Sequence, residues 1–178
     1  MLKKIIVSCV ALCCVVLFGA ASYAANSSSP AGNWLAIDDK THKPRGVVTI
    51  ISKTNANGQV ELIGYSKFGF YIPGYTWSKY YTGTYKPFYH KRFGQFPILW
   101  GYVSSGNGKW SKGHIFDADH SKLYRSNLQL LDNGNKLKVS GCIAFICRGQ
   151  IWSRLNKEEY DSLHAKSLLD LQAHPYPD

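Results

Sequence analysis

The chain of 178 residues carries 21 Lys and Arg against 11 Asp and Glu, a formal net charge of +10, and 14% of its residues are aromatic. That length fits one domain with a real core. The basic balance points to anionic lipid headgroups, acidic glycans or acidic protein surfaces, and the export signal read next argues against nucleic acid.

Met1 is followed by Lys3 and Lys4, an apolar run over 5–19, and then Ser22-Tyr23-Ala24. A basic start, a short apolar stretch and a small-x-small site describe a secretory signal peptide. The run is shorter than the ~20 apolar residues of a membrane-spanning helix. Leu12, before Cys13, is not the small residue of a lipoprotein signal. We expect cleavage after Ala24 and an exported protein, periplasmic or secreted. The 154 residues that remain of 178 have a net charge of +8, because Lys3 and Lys4 leave and no acid does.

Residues 25–31, ANSSSPA, read as a flexible leader before a domain over 32–155. Strands are expected near 32–37, 45–52, 58–66, 97–103, 109–116, 123–131, 136–143 and 150–155. Asn-Gly pairs in "TNANGQ" (54–59), "SSGNGK" (104–109) and "LDNGNK" (131–136) are strong hairpin signals between β-rich runs. Along 136–143, Leu137, Val139, Gly141 and Ile143 alternate with Lys136, Lys138, Ser140 and Cys142, the pattern of a half-buried strand. A meander of this length closes as a barrel or stacks as a sandwich, and an eight-stranded barrel can hold one small ligand.

Between Glu61 and Asp117 there is no acid, while residues 65–94 hold twelve of the chain's 25 aromatic rings. A hairpin around Gly83 is expected there. One reading has these rings cover a barrel opening and complete the core. A second has them line a pocket for an apolar ligand, with cations at its rim. A third makes the segment an exposed patch for lipid headgroups or an acidic partner.

Of five cysteines, Cys9, Cys13 and Cys14 lie in the signal segment. Cys142 and Cys147 remain, an even pair in an oxidising compartment. On one extended strand they stand about 17 Å apart, beyond disulfide reach. Across a four-residue loop, Ile143 to Ile146, they face each other, though that loop lacks turn residues. Both alternatives stay open. The chain ends, over 156–178, with a helix and tail. Asn156 and Glu159 form a capping-box start, Tyr160, Leu163, Leu168 and Leu171 fall near one face, and the helix runs over about 157–172, packed on the barrel wall.

Catalytic signals are weak. Asp38 and Asp39 read as turn residues with Thr41 rather than a base or metal ligand, because neighbours on a strand point to opposite faces. His114, Asp117, Asp119 and His120 form one His/Asp cluster, read as solvated turn residues rather than a zinc site. No nucleophile elbow, His-Glu-x-x-His or phosphate loop appears. No cofactor and no metal are expected.

"GNWLAIDDKTHKPRGVVTI", "FPILWGY", "GKWSKGHIFDADHSKLYRSNLQLLDNGNKLKVSGCI" and "GQIWSRL" resemble the bacterial secreted family called domain of unknown function 2147. The resemblance runs from about Ala31 to Leu155 and implies an exported, single-domain, lipocalin-like barrel. Gly32-Asn33-Trp34 is also similar to the Gly-x-Trp on the first lipocalin strand. That likeness implies that Trp34 closes one barrel end with a late arginine, Arg154 or Arg148, across its face. The chain departs from the family in the aromatic–basic stretch, where members carry a Cys-x-x-Cys-like segment. It departs again in Asp117–Lys122, which lacks Pro and Gly, and in Cys147-Arg148-Gly149-Gln150.

The reading is therefore an all-β protein, a single antiparallel lipocalin-like barrel of about eight strands with a C-terminal α-helix. Its expected role is non-catalytic binding of a small hydrophobic or amphipathic ligand. Tyr71, Tyr75, Trp77, Tyr80, Tyr81, Tyr85, Phe88, Trp100 and Trp110 are the expected pocket or mouth residues, with Lys79, Lys86, Lys91 and Arg92 facing an anion. The alternatives are an envelope interaction protein using 65–94 on anionic lipid or an acidic partner, and an enzyme using Asp38, Asp39, His114 or Asp117.

Overall fold

The computed structural model describes residues 28–38, 41–75 and 77–177; the expected signal peptide and Asp39 lie outside them. Eight strands form a closed antiparallel barrel in chain order. They are β1 (Gly32–Ile37), β2 (Pro44–Thr54), β3 (Val60–Gly69), β4 (Leu99–Gly106), β5 (Lys109–Asp117), β6 (Lys122–Leu131), β7 (Lys136–Ile143) and β8 (Ile146–Leu155). β8 pairs back onto β1 through Trp34 and Arg154. The Asn-Gly signals mark the β2–β3, β4–β5 and β6–β7 turns. At the β4–β5 turn both Asn107 (φ 51) and Gly108 (φ 67) are left-handed, the geometry that makes Asn-Gly the preferred two-residue hairpin.

β8 starts four residues before its expected position. Ile143 pairs with Ile146 and Cys142 with Cys147, so the turn is only Ala144-Phe145. Ala144 supplies the left-handed step, φ 51, which sequence rules assign to Gly or Asn. Cys142 and Cys147 are disulfide-bonded across the hairpin. Among the described residues the hairpin expected around Gly83 forms no regular strands; instead 79–81 and 90–93 pair antiparallel about Lys86, through bonds from Tyr81 N to Lys91 O, His90 N to Tyr81 O and Phe93 N to Lys79 O. Residues 70–98 form an irregular connection with one isolated bridge, Tyr80 to Arg92, and one 3-10 turn over Lys86–Phe88. Pro87 has no N–H to give a ladder there.

The barrel core contains Trp34, Val48, Ile50, Leu62, Leu99, Tyr102, Leu128, Leu137, Val139 and Trp152. Tyr102 donates to Ser126 Oγ at 2.6 Å in the interior. Its ring lies across Gly113, where a Cβ would stand 2.2 Å from Tyr102 Cδ1; only glycine admits that approach. The helix α1 (Lys157–Ala173) begins with the expected capping box. It contacts the outer wall through Tyr160 and His164 on Phe68, and Ser167 Oγ donates to Gly69 O. The contacts come from 160, 164, 167 and 170, whose carboxylate accepts from Tyr71 N, so Leu168 turns to solvent rather than to the wall. Ser167 and Gly69 bring helix and strand close with a hydrogen bond, and no leucine is needed at that point.

Candidate functional site

One barrel end is closed by a clasp. Trp34 is fully buried, its Nε1 donates to Pro30 O at 2.8 Å, and the Arg154 guanidinium lies 4.3 Å from its ring centroid. Arg154 Nε donates to Gly134 O at 2.6 Å, Nη1 to Ala31 O at 2.8 Å and Nη2 to Ser29 O at 2.7 Å. One side chain thus ties the leader and the β6–β7 turn to the tryptophan. Partial burial lowers the Arg154 pKa below the ordinary guanidinium value, and the charge persists because arginine starts so high.

At the other end the inward-facing positions become steadily more exposed. Along paired β7 and β8, Leu137 and Trp152 are buried, then Val139 is buried beside half-buried Gln150, then half-buried Gly141 faces exposed Arg148, and finally Ile143 and Ile146 are both exposed. β6 shows the same gradient: Leu128 and Ser126 are buried, Tyr124 is half-buried and Lys122 is exposed. Gln150 Oε1 accepts from Trp152 Nε1 at 2.9 Å, which places it on top of the packed layer. A Cβ on Gly141 would lie 3.6 Å from Ile115 and 3.7 Å from Tyr124. An open groove of about 660 Å³ runs beside this mouth between residues 121–125 and 142–144. The arrangement offers apolar floor groups, a polar amide at Gln150 and cations at the rim.

The expected site residues fall into separate groups. Tyr81 and Phe88 are buried with Phe96 and Phe116 in a second aromatic core, against which Tyr85, Phe93 and Trp100 pack. Phe88 stacks on Phe96 at 4.4 Å, and the Tyr81 hydroxyl accepts from Tyr85 N at 2.9 Å. Strand alternation sets this cluster on the outer face of β4 and β5, since Leu99 and Ile115 belong to the interior core and their neighbours Trp100 and Phe116 do not. Trp110 packs against the interior core. Tyr71 and Trp77 meet the C-terminal tail: Tyr71 stacks on His174 at 3.7 Å and Trp77 Nε1 donates to His174 O at 2.6 Å. Tyr80 is exposed, beside a small cleft of about 140 Å³ that also involves Tyr81 and Phe93. Lys79, Lys86, Lys91 and Arg92 all face solvent, with Lys79 over the Tyr80 ring and Lys86 over Tyr89.

The acids form a different constellation. Asp38 accepts from Thr41 N and Thr41 Oγ1, both at 2.8 Å, as a turn residue does. It also accepts from the Tyr75 hydroxyl at 2.9 Å. That bond to a carboxylate, with burial adding, raises the Tyr75 pKa above the ordinary tyrosine value. Arg45 lies 4.0 Å over the Tyr75 ring and forms an ion pair with Asp119. Asp117 caps its own turn and contacts His120 Nδ1 at 2.8 Å, while His114 stacks on Trp100. Asp38 and Asp119 thus converge on Arg45, and Asp117 and His114 each make other contacts. Among the described residues no three His, Cys, Asp or Glu side chains are grouped as a metal site.

Sequence reasoning gave no place at the open end to Tyr124 or Gln150, and considered Arg148 only as an alternative to Arg154 beside Trp34, the part that Arg154 takes. The alternation of 136–143 carried the signal. Extended through a two-residue turn at Ala144-Phe145, it sets Arg148, Gln150 and Trp152 opposite Gly141, Val139 and Leu137.

Residues 32–154 match the model of a family described as "Uncharacterized protein conserved in bacteria (DUF2147)". In three dimensions the chain is similar to HP1028 from the human pathogen Helicobacter pylori, described as belonging to the lipocalin family. The TM-score is 0.58 at 16% identity, over 82% of this chain and 99% of that one. No curated protein matches the chain in sequence.

Proposed function

This chain belongs to the bacterial DUF2147 family, and we propose that it is an exported, non-catalytic binding protein. It holds a small hydrophobic or amphipathic molecule at the barrel end opposite Trp34. The observation that carries this reading is the exposure gradient on the inner face of β6, β7 and β8, from buried Leu137 and Trp152 to exposed Arg148 and Ile146. A barrel closed at one end and increasingly solvent-exposed at the other suits one small ligand. The apolar part rests near Ile115, Gly141 and Tyr124, and an anionic head meets Arg148 and Lys122. The lipocalin likeness supports the architecture of such a site.

The test combines a ligand census with a titration. Native mass of the exported protein, followed by extraction, is expected to reveal a stoichiometric amphipathic molecule. The probe 1-anilinonaphthalene-8-sulfonate, apolar and anionic, is expected to bind at the mouth. Gly141→Phe fills the floor, and Arg148→Glu reverses the rim charge. Each should weaken probe binding about tenfold, the equivalent of one lost apolar or charged contact. Unchanged binding in both variants would overturn the reading.

A second reading rests on the solvent-facing row Lys79, Lys86, Lys91 and Arg92 beside exposed Tyr80 and Tyr89. This face suits an acidic partner, and its association should weaken steeply with salt.

A further inference from the structure

The β7–β8 tip borders the mouth just described and shares Arg148 and Lys122 with its rim, but its apolar end projects beyond it. Phe145 is 92% exposed, Ile143 66% and Ile146 63%. Leu123, across the groove on β6, is exposed as well. Single apolar side chains in water need no explanation, but a contiguous cluster at a projecting tip marks an interaction site. Nor is this tip a loose loop. The Cys142–Cys147 disulfide joins its two strands directly below Ile143 and Ile146. A shape fixed in advance loses less entropy when it docks.

The flank of the tip is cationic. Lys122, Arg125 and Arg148 are all exposed. Arg125 pairs with Cys142 and Arg148 with Gly141, so both sit just below the apolar residues. The sequence has no Asp or Glu from 120 to 131 or from 133 to 157. Asp119, the nearest acid before this interval, is already paired with Arg45.

We propose that this stapled hairpin docks the protein on a bilayer surface containing anionic lipid. Phe145, Ile143 and Ile146 enter the boundary between headgroups and acyl chains, while Lys122, Arg125 and Arg148 meet lipid phosphates. Apolar tips with basic flanks bind lipid interfaces by this division of labour. A convex tip suits a deformable bilayer, which needs no matching cavity, better than it suits a rigid protein surface. Docking does not depend on the ligand reading, although it would hold the barrel mouth against the membrane.

The test is co-sedimentation of the exported protein with vesicles of phosphatidylcholine alone or mixed with phosphatidylglycerol. Wild type is expected to bind the mixed vesicles and to lose about fivefold in affinity for each basic side chain neutralised, as in Arg125→Gln. Phe145→Ser and Ile146→Ser are each expected to lower affinity about tenfold while leaving the barrel's circular dichroism unchanged. Absence of binding by wild type, or binding that Phe145→Ser leaves intact, would overturn the proposal. A doubled solution mass that Phe145→Ser halves would assign the tip to a second copy of the chain and overturn it too.

Discussion

Replacing Arg154 by Ala should loosen the closed end of the barrel by about 3 kcal/mol. The side chain donates three hydrogen bonds to carbonyls of Ser29, Ala31 and Gly134, at 2.6 to 2.8 Å, and covers Trp34. Hydrogen bonds from a charged donor contribute about 1.5–3 kcal/mol each, and a cation over a buried ring such as Trp34 up to about 2. The terms are not additive, because water reaches the vacated carbonyls of this half-buried clasp, so about 3 kcal/mol is well below their sum. Arg154→Lys keeps the charge but cannot fork to three carbonyls and should lose about half as much. Urea unfolding followed by tryptophan fluorescence measures both, with an unchanged slope expected. A double-mutant cycle sharpens the test. A Cβ on Gly32 would stand 2.7 Å from Arg154 Nη1, so part of the damage of Gly32→Ala should vanish when Arg154 is already Ala. A loss for Arg154→Ala below about 1 kcal/mol, or strict additivity with Gly32→Ala, would refute the clasp as argued.

Gly113→Ala places a methyl 2.2 Å from the Tyr102 ring and should cost about 1–3 kcal/mol by overpacking, read from the urea midpoint. Tyr102→Phe leaves Ser126 buried without its donor and should cost about 1 kcal/mol, with Ser126→Ala added nearly neutral. The same variant has a pH signature. Burial raises the Tyr102 pKa, and the Ser126 bond offsets little of this. Below about pH 10 both folded and unfolded chains keep the proton, so this group imposes no pH dependence. Above it the unfolded tyrosine ionises first and stability falls. Tyr102→Phe should flatten that alkaline limb, measured by urea midpoints from pH 8 upward; an equal slope in both proteins would contradict the burial argument. Changing Cys142 and Cys147 together to Ser should cost about 2 kcal/mol, the closure entropy of so short a loop. Tyr81→Ala should cost about 3–5 kcal/mol in thermal unfolding, because its ring meets Phe93, Phe96 and Phe116.

The strand order was legible because its signals are local. Asn107-Gly108 fixes one hairpin whatever surrounds it, and the β7 alternation needs only eight residues. The capping box at Asn156 and Glu159 is equally local and is present in full. The β7–β8 turn was harder, because no sequence rule nominates Ala144 for a left-handed step. The disulfide supplies a reason to hold it there, and that bond is visible only once the register is known. The aromatic segment was readable as unusual but not as divided. Its rings answer to three partners: the C-terminal tail at Tyr71 and Trp77, Arg45 at Tyr75, and Phe116 at Tyr81 and Phe88. Contacts of such long sequence separation leave no trace in composition.

Two bulges decide which rings can reach the barrel interior. Plain alternation from Trp110 would send 112, 114 and 116 inward with it. Instead the register shifts between Trp110 and Gly113, where Lys112 takes φ 62. Gly113 and Ile115 therefore face inward, and His114 and Phe116 face out. On β4, Gly101 at φ 74 does the same work. Without it Trp100 and Tyr102 would share a face; with it Tyr102 enters the core and Trp100 joins Phe88 on the outer wall. One added residue on each strand thus moves a set of rings from lumen to flank. The lumen keeps Gly113 and Gly141 where bulky side chains would otherwise stand. Tyr102 fills the space over Gly113, whereas Gly141 meets only Ile115 and Tyr124 at ordinary contact distance. The packed lower barrel and the rising exposure toward the other end therefore follow from where glycine stands relative to the nearest ring. A substitution that moved a bulge would send these rings to the opposite face of the sheet without altering the strand order.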